Sequence, residues 1–249
     1  MKKLTAVLLS AGAVTALTAC GSTDAQSEVS VAVVQDYPPF EYIEDEELTG
    51  FDVDIIEAIA DHQGFEVDWQ IMRFDGIIPA LQGNQVDAAV SAIGIREDRL
   101  EVVDFSDPYF ESGLSLVVPA ESDINDVEDL EGATIVGKQG TSGLELAREF
   151  ADEYNGEVTI LQEDAVMYME VESGNADAVI NDYPSAAYKI AQDGDDAQLR
   201  IVGDRLTGED YGIAVSKDAE GVLEQMNEGL EYLFESGKYD EIYDSYFAE

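Results

Sequence analysis

The chain has 249 residues, 45% of them apolar, and a formal net charge of −43 from 55 acidic against 12 basic residues. That balance argues against nucleic acids and anionic lipid surfaces as partners, because phosphate contacts need Lys and Arg. The 12 Tyr, 9 Phe and single Trp, together with regular apolar periodicity, exclude a disordered acidic chain and leave one or two folded domains.

In chain order, residues 1–20 come first as a separate device. Lys2 and Lys3 precede an apolar run of small residues, too short for a comfortable membrane span, which ends at Cys20, the only cysteine. The segment resembles a bacterial lipobox signal. That likeness implies lipidation of Cys20 and a mature chain held to the outer face of the cell membrane by its lipid alone. A secretory signal with an incidental cysteine is the plainer alternative. Residues 21–28 read as a polar tether. With one cysteine no internal disulfide can form.

The alternation that follows is strand and helix. VSVAVVQ (29–35) reads as a strand, FDVDIIEAIADHQ (51–63) as a helix between Gly50 and Gly64, and EVDWQIM (66–72) as a half-buried strand. DGIIPALQG (75–83) reads as a helix that tolerates Pro79 only near its start. DAAVSAI (87–93) and LSLVVP (114–119) read as buried strands. The pattern then repeats as strand 133–138, helix 144–154, strand 157–162, helix 165–173 and strand 176–181. Residues 221–247 read as helical, broken at Gly237. Strand–helix alternation implies parallel sheets flanked by helices, here in two α/β lobes.

Ligands of open α/β sheets sit beyond the carboxyl ends of the strands, so the loops there are the places to search. Four candidates emerge: Gly94 to Arg99, Gln139-Gly140-Thr141-Ser142-Gly143, Asp182, and Tyr37-Pro38-Pro39-Phe40. An arginine fork grips a carboxylate through two parallel hydrogen bonds. A Gly-Thr-Ser-Gly turn opening a helix offers free N–H groups to an anion. A carboxylate on the opposite lobe holds an ammonium, and aromatics wall the stem. Together these grips describe a zwitterionic amino acid. Taken singly each has a plainer reading: a surface ion pair for Arg99, a helix cap for Thr141 or Ser142, a turn residue for Asp182, core packing for Tyr37 and Phe40. Support for catalysis is thin. His62 is the only histidine and reads as a surface residue without metal spacing, and GKQGTSG lacks the register of a phosphate-binding loop. No catalytic residue, metal or cofactor is expected.

Read together, YPPFEY, GFDVDIIEAIA, FDGIIPALQGNQVDAAVSAI, VVDFSDPYF, GATIVGKQGTSG, ADAVINDYPSAAY, YGIAV and GKYDEIYDSYF resemble, in order and spacing, the extracellular solute-binding proteins of family 3, which serve polar amino-acid importers. The resemblance covers nearly all of 29–248. It implies a two-lobed periplasmic-binding-protein type II fold, with lobe 1 from 29–112 and 207–249, lobe 2 from 113–206, and the ligand in the cleft between them. It places the α-carboxylate clamp on Arg99, the α-ammonium acid on Asp182, helix-start amides on Thr141 and Ser142, stacking aromatics on Tyr37 and Phe74, and backbone groups near Ser91 and Ala92. Arg96 reads as a local ion pair with Glu97 or Asp98, or as a rim residue. Gly94 departs from the family's usual Ser or Thr, so only its backbone N–H serves. Val34 departs from the Asp carried there by binders of basic amino acids and by the glutamine binder, which argues against Lys, Arg or His as ligand. Lys138 before the GTSG turn implies glutamine or glutamate, unless it merely pairs with acids.

The implied mechanism is hinge closure by a monomer, followed by docking on permease and ATPase subunits carried on other chains. A sensor module for a separate receptor, a cyclohexadienyl dehydratase and a purely structural surface lipoprotein are the rival readings. The charge adds one expectation: a halophilic protein, whose melting temperature rises as NaCl approaches ~1 M and the screening length falls to ~3 Å. A melting series that stays flat or falls with salt overturns it.

Overall fold

The structure is a computed structural model that describes residues 27–247. The signal segment, Cys20 and residues 21–26 of the tether lie outside the described residues. The first strand, Ser27–Val33, starts inside the expected tether.

Two five-stranded sheets organise the chain. The first runs, edge to edge, Phe65–Ile71, Ser27–Val33, Ala88–Ala89, Ala214–Val215, Asp104–Phe105. The second runs Glu157–Leu161, Thr134–Lys138, Ala178–Asp182, Leu114–Pro119, Leu199–Val202. In each sheet the first three strands are parallel, while the fourth and fifth each run antiparallel to the strand before them. Each sheet is parallel-dominated, as expected, and the antiparallel pairings are confined to one side of it. Periodicity reports which faces are buried, and a strand covered on both faces looks alike in either direction.

The second sheet shows why its strands are continuous apolar runs. Leu116, Val118, Ile135 and Ile180 point into one core, and Val117, Val136 and Val179 into another on the opposite face. Successive side chains alternate between two buried layers. In the first lobe, Ile55, Ile56 and Ile59 of the helix Phe51–Gln63 share a core with Met226, Leu230 and Leu233 of the helix Val222–Ser236. Both sets follow helical spacing. A last helix, Lys238–Phe247, follows the break at Gly237.

The chain passes between the two sheets twice. Phe110–Ser112 and Glu209–Tyr211, at the two passages, pair antiparallel with Glu209 opposite Ser112. A small three-stranded sheet of Asp36–Tyr37, Glu41–Glu44 and Glu47–Thr49, unforeseen in the sequence, carries Tyr37 and Glu41. The helix Tyr183–Asp193 was also unforeseen.

Two further readings need correction. The strand expected over 87–93 shrinks to Ala88–Ala89, because Ser91 to Gly94 leave the sheet to form a loop. Buried Asp52 fixes that loop, accepting from the Ala92 N–H at 2.7 Å and the Tyr109 hydroxyl at 2.8 Å. Ala92 takes a left-handed φ of 45°. Pro79 sits inside the helix Phe74–Gln82 rather than near its start, where its ring forfeits one intrahelical bond.

Candidate functional site

A cavity opens between the carboxyl ends of the two sheets. All ten residues singled out for ligand binding line it: Arg99, Asp182, Thr141, Ser142, Tyr37, Phe74, Ser91, Ala92, Gly94 and Lys138. Val34, Glu41, Asp164, Asn181 and Glu209 line it as well.

Arg99 sits on the short helix Glu97–Leu100 and is only 5% exposed. Its Nη1 donates to the Gly94 carbonyl at 2.8 Å and its Nη2 to the Gly140 carbonyl, on the other lobe, at 3.1 Å. Gly140 presents that carbonyl from a left-handed φ of 88°, which a side chain would strain. The guanidinium lies 5.6 Å from the centre of the Phe74 ring. Burial, then the charge of Arg96, pulls the Arg99 pKa down. A guanidinium has five N–H donors in a fixed fork, so donors remain for an anion in the cavity.

Facing it, Asp182 ends the strand Ala178–Asp182 and precedes the helix Tyr183–Asp193. It caps no N–H of that helix. Its carboxylate instead accepts from the Tyr37 hydroxyl across the cleft, and Asn181 Oδ1 lies 3.2 Å from the same hydroxyl. Burial, then the charge of Glu209, pushes the Asp182 pKa up to about 7. Tyr37 is thus a polar bridge as well as an aromatic wall.

Thr141 caps the helix Ser142–Glu153, accepting from the Leu144 N–H at 3.2 Å. Its hydroxyl therefore holds the helix start in place. The Ser142 hydroxyl donates to Glu209 Oε1 at 2.6 Å.

Lys138 takes the alternative weighed for it, pairing with acids, although these are buried rather than surface acids, and its three N–H donors leave some for a ligand. It is 5% exposed and paired with the equally buried carboxylate of Asp164, with Asp36 3.8 Å away. Burial lowers its pKa, but Asp164 and Asp36 outweigh that and raise it overall. A buried pair of this kind is costly to break from one side, by about 3–5 kcal/mol.

Glu41 went unnoticed in the sequence. It is fully buried in the cavity wall, and neither carboxylate oxygen has a hydrogen-bond partner among the described residues. Burial, then Asp52, pushes its pKa well up. Its signal was a charged residue inside the apolar, aromatic stretch YPPFEY. Asp164 and Glu209 carried weaker signals, one opening a helix beyond a strand end and the other following a lobe crossing.

Arg96 does pair with Asp98, at 2.9 Å, as expected. It also reaches Glu145 on the second lobe at 2.6 Å, and Ser142 Oγ at 3.3 Å. His62 is exposed and stacks on Tyr232, as a surface residue would.

The model of the bacterial extracellular solute-binding proteins, family 3, matches residues 29–249. The chain is 31% identical to a probable histidine-binding protein of Neisseria gonorrhoeae, over 100% of this chain and 97% of that protein. It is 33% identical to the ABC transporter glutamine-binding protein GlnH of Bacillus subtilis (strain 168), over 100% and 98%. A solved structure of an ancestral arginine-binding protein bound to arginine superposes with a TM-score of 0.85 at 36% identity, covering 90% of this chain and 99% of that one.

Proposed function

The chain belongs to the bacterial extracellular solute-binding proteins, family 3, and from that premise we propose that it captures a polar amino acid by closing its two lobes and hands it to ABC permease and ATPase subunits on other chains. Members of the family are solute-binding proteins, and they act outside the cytoplasm. Lipidation at Cys20, a monomeric state, tuning to salt and lobe limits at 112–113 and 206–207 belong to this reading.

One observation carries it. The guanidinium of Arg99, from the short helix Glu97–Leu100, and the carboxylate of Asp182, from a strand end of the second sheet, line one cavity. A zwitterion spanning them has its α-carboxylate on Arg99 and the N–H groups near Ser142, and its α-ammonium on Asp182. It makes both sets of contacts only when the lobes are closed, so its binding energy favours the closed state.

The far end of the cavity selects the side chain. There Lys138 is already matched by Asp164, and Glu41 stands without a partner. A glutamate carboxylate would have to share Lys138 with Asp164 and stand beside Glu41. Side chains bearing N–H donors fit instead. Glutamine is one of the pair expected from the sequence. Arginine, set aside because Val34 is not acidic, returns because a solved arginine-binding neighbour holds it and Glu41, kept towards its neutral form by burial and Asp52, can still accept an N–H on its carbonyl oxygen.

Calorimetry against the twenty amino acids tests the reading, with prephenate as a turnover control. Micromolar binding of glutamine or arginine, with prephenate left intact, is the expected result. Failure of every amino acid to bind, or consumption of prephenate, overturns it.

A further inference from the structure

Two arginines on the rim of the cleft are placed alike. Arg73 is the N-cap residue of the helix Phe74–Gln82, and Arg96 that of the helix Glu97–Leu100. Each meets an aspartate two residues on, in the first turn of its helix. Arg73 donates through Nε and Nη2 to the two carboxylate oxygens of Asp75 at 3.1 and 2.8 Å. Arg96 donates in the same way to those of Asp98, both at 2.9 Å. Each then extends its Nη2 to the other lobe, Arg73 to Gln162 Oε1 and Arg96 to Glu145 Oε1, both at 2.6 Å. A chain with 12 basic residues thus commits two of them to the same cross-cleft contact.

The two differ in weight. The Arg73 side chain is 63% exposed and its far partner is neutral, whereas the Arg96 side chain is 19% exposed and its far partner is charged. Arg96 also donates through Nη1 to the Ser142 hydroxyl at 3.3 Å. Ser142 and Glu145 both belong to the first turn of the helix Ser142–Glu153, so Arg96 holds that turn from across the cleft. Thr141 takes the Leu144 N–H. The Ser142 and Gly143 N–H groups have no intrahelical partner and are the donors that the helix start can offer an anion. The helix does not shift alone. A Cβ added to Gly143 would lie 2.5 Å from the backbone carbonyl oxygen of Ile180, in the strand that ends at Asp182. A pull on the first turn therefore carries that strand end with it.

Resting on the amino-acid reading above, we propose that Arg96 is a positioning residue: from the first lobe it clasps the start of the helix Ser142–Glu153, sets the N–H groups there beside Arg99, and slows release of the bound amino acid. It stands outside the cavity lining and acts through the helix. Asp98 fixes the guanidinium on its own lobe, so little side-chain freedom is lost when the lobes meet. Asp98 and Glu145 both accept from the same Nη2, so the cation also cancels a repulsion between them.

Stopped-flow measurement of association and release, with L-glutamine and L-arginine as the probes, tests this. Arg96→Gln is expected to speed release about 5- to 10-fold, the top of the range for a partly exposed ion pair with the uncovered repulsion added, and to leave association nearly unchanged. Glu145→Gln keeps Asp98 on Arg96 and should speed release about 3-fold. The double substitution should release more slowly than Arg96→Gln alone, because it removes the repulsion. A merely structural role does not produce that reversal. Release as slow as in the unsubstituted protein overturns the proposal. So does a loss confined to association, which would make Arg96 a steering charge, or a double loss equal to the product of the two single ones. If Arg96→Gln fails to fold, unchanged release from Glu145→Gln is enough to overturn it. Failure of the amino-acid reading looks different: no amino acid binds the unsubstituted protein, and both proposals fall together.

Discussion

Arg99→Ala is expected to weaken amino-acid binding by about 30- to 5000-fold, the span that follows when one partner of a buried, hydrogen-bonded charge pair is truncated. The size follows from burial. Arg99 is 5% exposed, and its charge is screened little by solvent. A carboxylate brought into that cavity without the guanidinium is desolvated and unpaired, which is worse than never having had a partner. Arg99→Lys should recover little. A point ammonium cannot keep the Gly94 and Gly140 carbonyls and fork onto a carboxylate at once. Because the bond to Gly140 crosses the cleft, Arg99→Ala should also loosen the closed form before any ligand arrives. Calorimetry with L-arginine and L-glutamine reads the first effect, and small-angle scattering of the ligand-free protein reads the second. A substituted protein that binds with unchanged affinity would falsify the site assignment.

Asp182→Asn should do two opposite things: abolish or greatly weaken binding, and stabilise the ligand-free protein at alkaline pH. The carboxyl titrates at about 7 in the fold against 3.8 for an unperturbed group. Its folded pKa is the higher one, so the stability tied to its proton is present in full below pH ~4 and is lost as pH rises to about 7. Asparagine carries no such penalty. The melting temperature of Asp182→Asn should therefore match that of the original near pH 4. It should exceed it by several degrees at pH 8, since each kcal/mol moves a domain of this size by about 2–4 °C. Binding carries the matching sign. An α-ammonium needs the ionised carboxylate, so below about pH 7 the affinity of the original protein should fall by up to about tenfold per unit. Binding at pH 6 should then release a proton, detectable as a heat that changes with the buffer. An affinity independent of pH between 5.5 and 8.5 would show that Asp182 does not face the ammonium. A melting advantage equally large at pH 4 would show that the gain has another source.

Much of the architecture was legible because periodicity is a local property. The helix Phe51–Gln63 and the strand Leu114–Pro119 lie where spacing placed them, since each buries a face or a pair of faces that its own sequence marks. The helix Tyr183–Asp193 went unread although Tyr183, Ala186, Ala187 and Ile190 follow helical spacing: the stripe is built largely of small residues, with a proline in its first turn. The loop from Ser91 to Gly94 was mistaken for strand because its residues are as apolar as a strand's. What turns them away is Asp52, some forty positions earlier, holding the Ala92 N–H. Arg96 was half legible: its partner two residues on is a local matter, but Glu145 is not.

The sequence by itself determined the two α/β lobes, the family and the residue types that line the cavity, because these depend on period, order and spacing along one chain. Only the tertiary structure decided that Lys138 is already paired with Asp164, that Glu41 stands unpartnered, and that Glu209 accepts from the Ser142 hydroxyl. Those outcomes depend on which charges meet across a cleft out of reach of water. Pairing energies of that kind are set by distance and burial in space, and positions in the chain do not encode them.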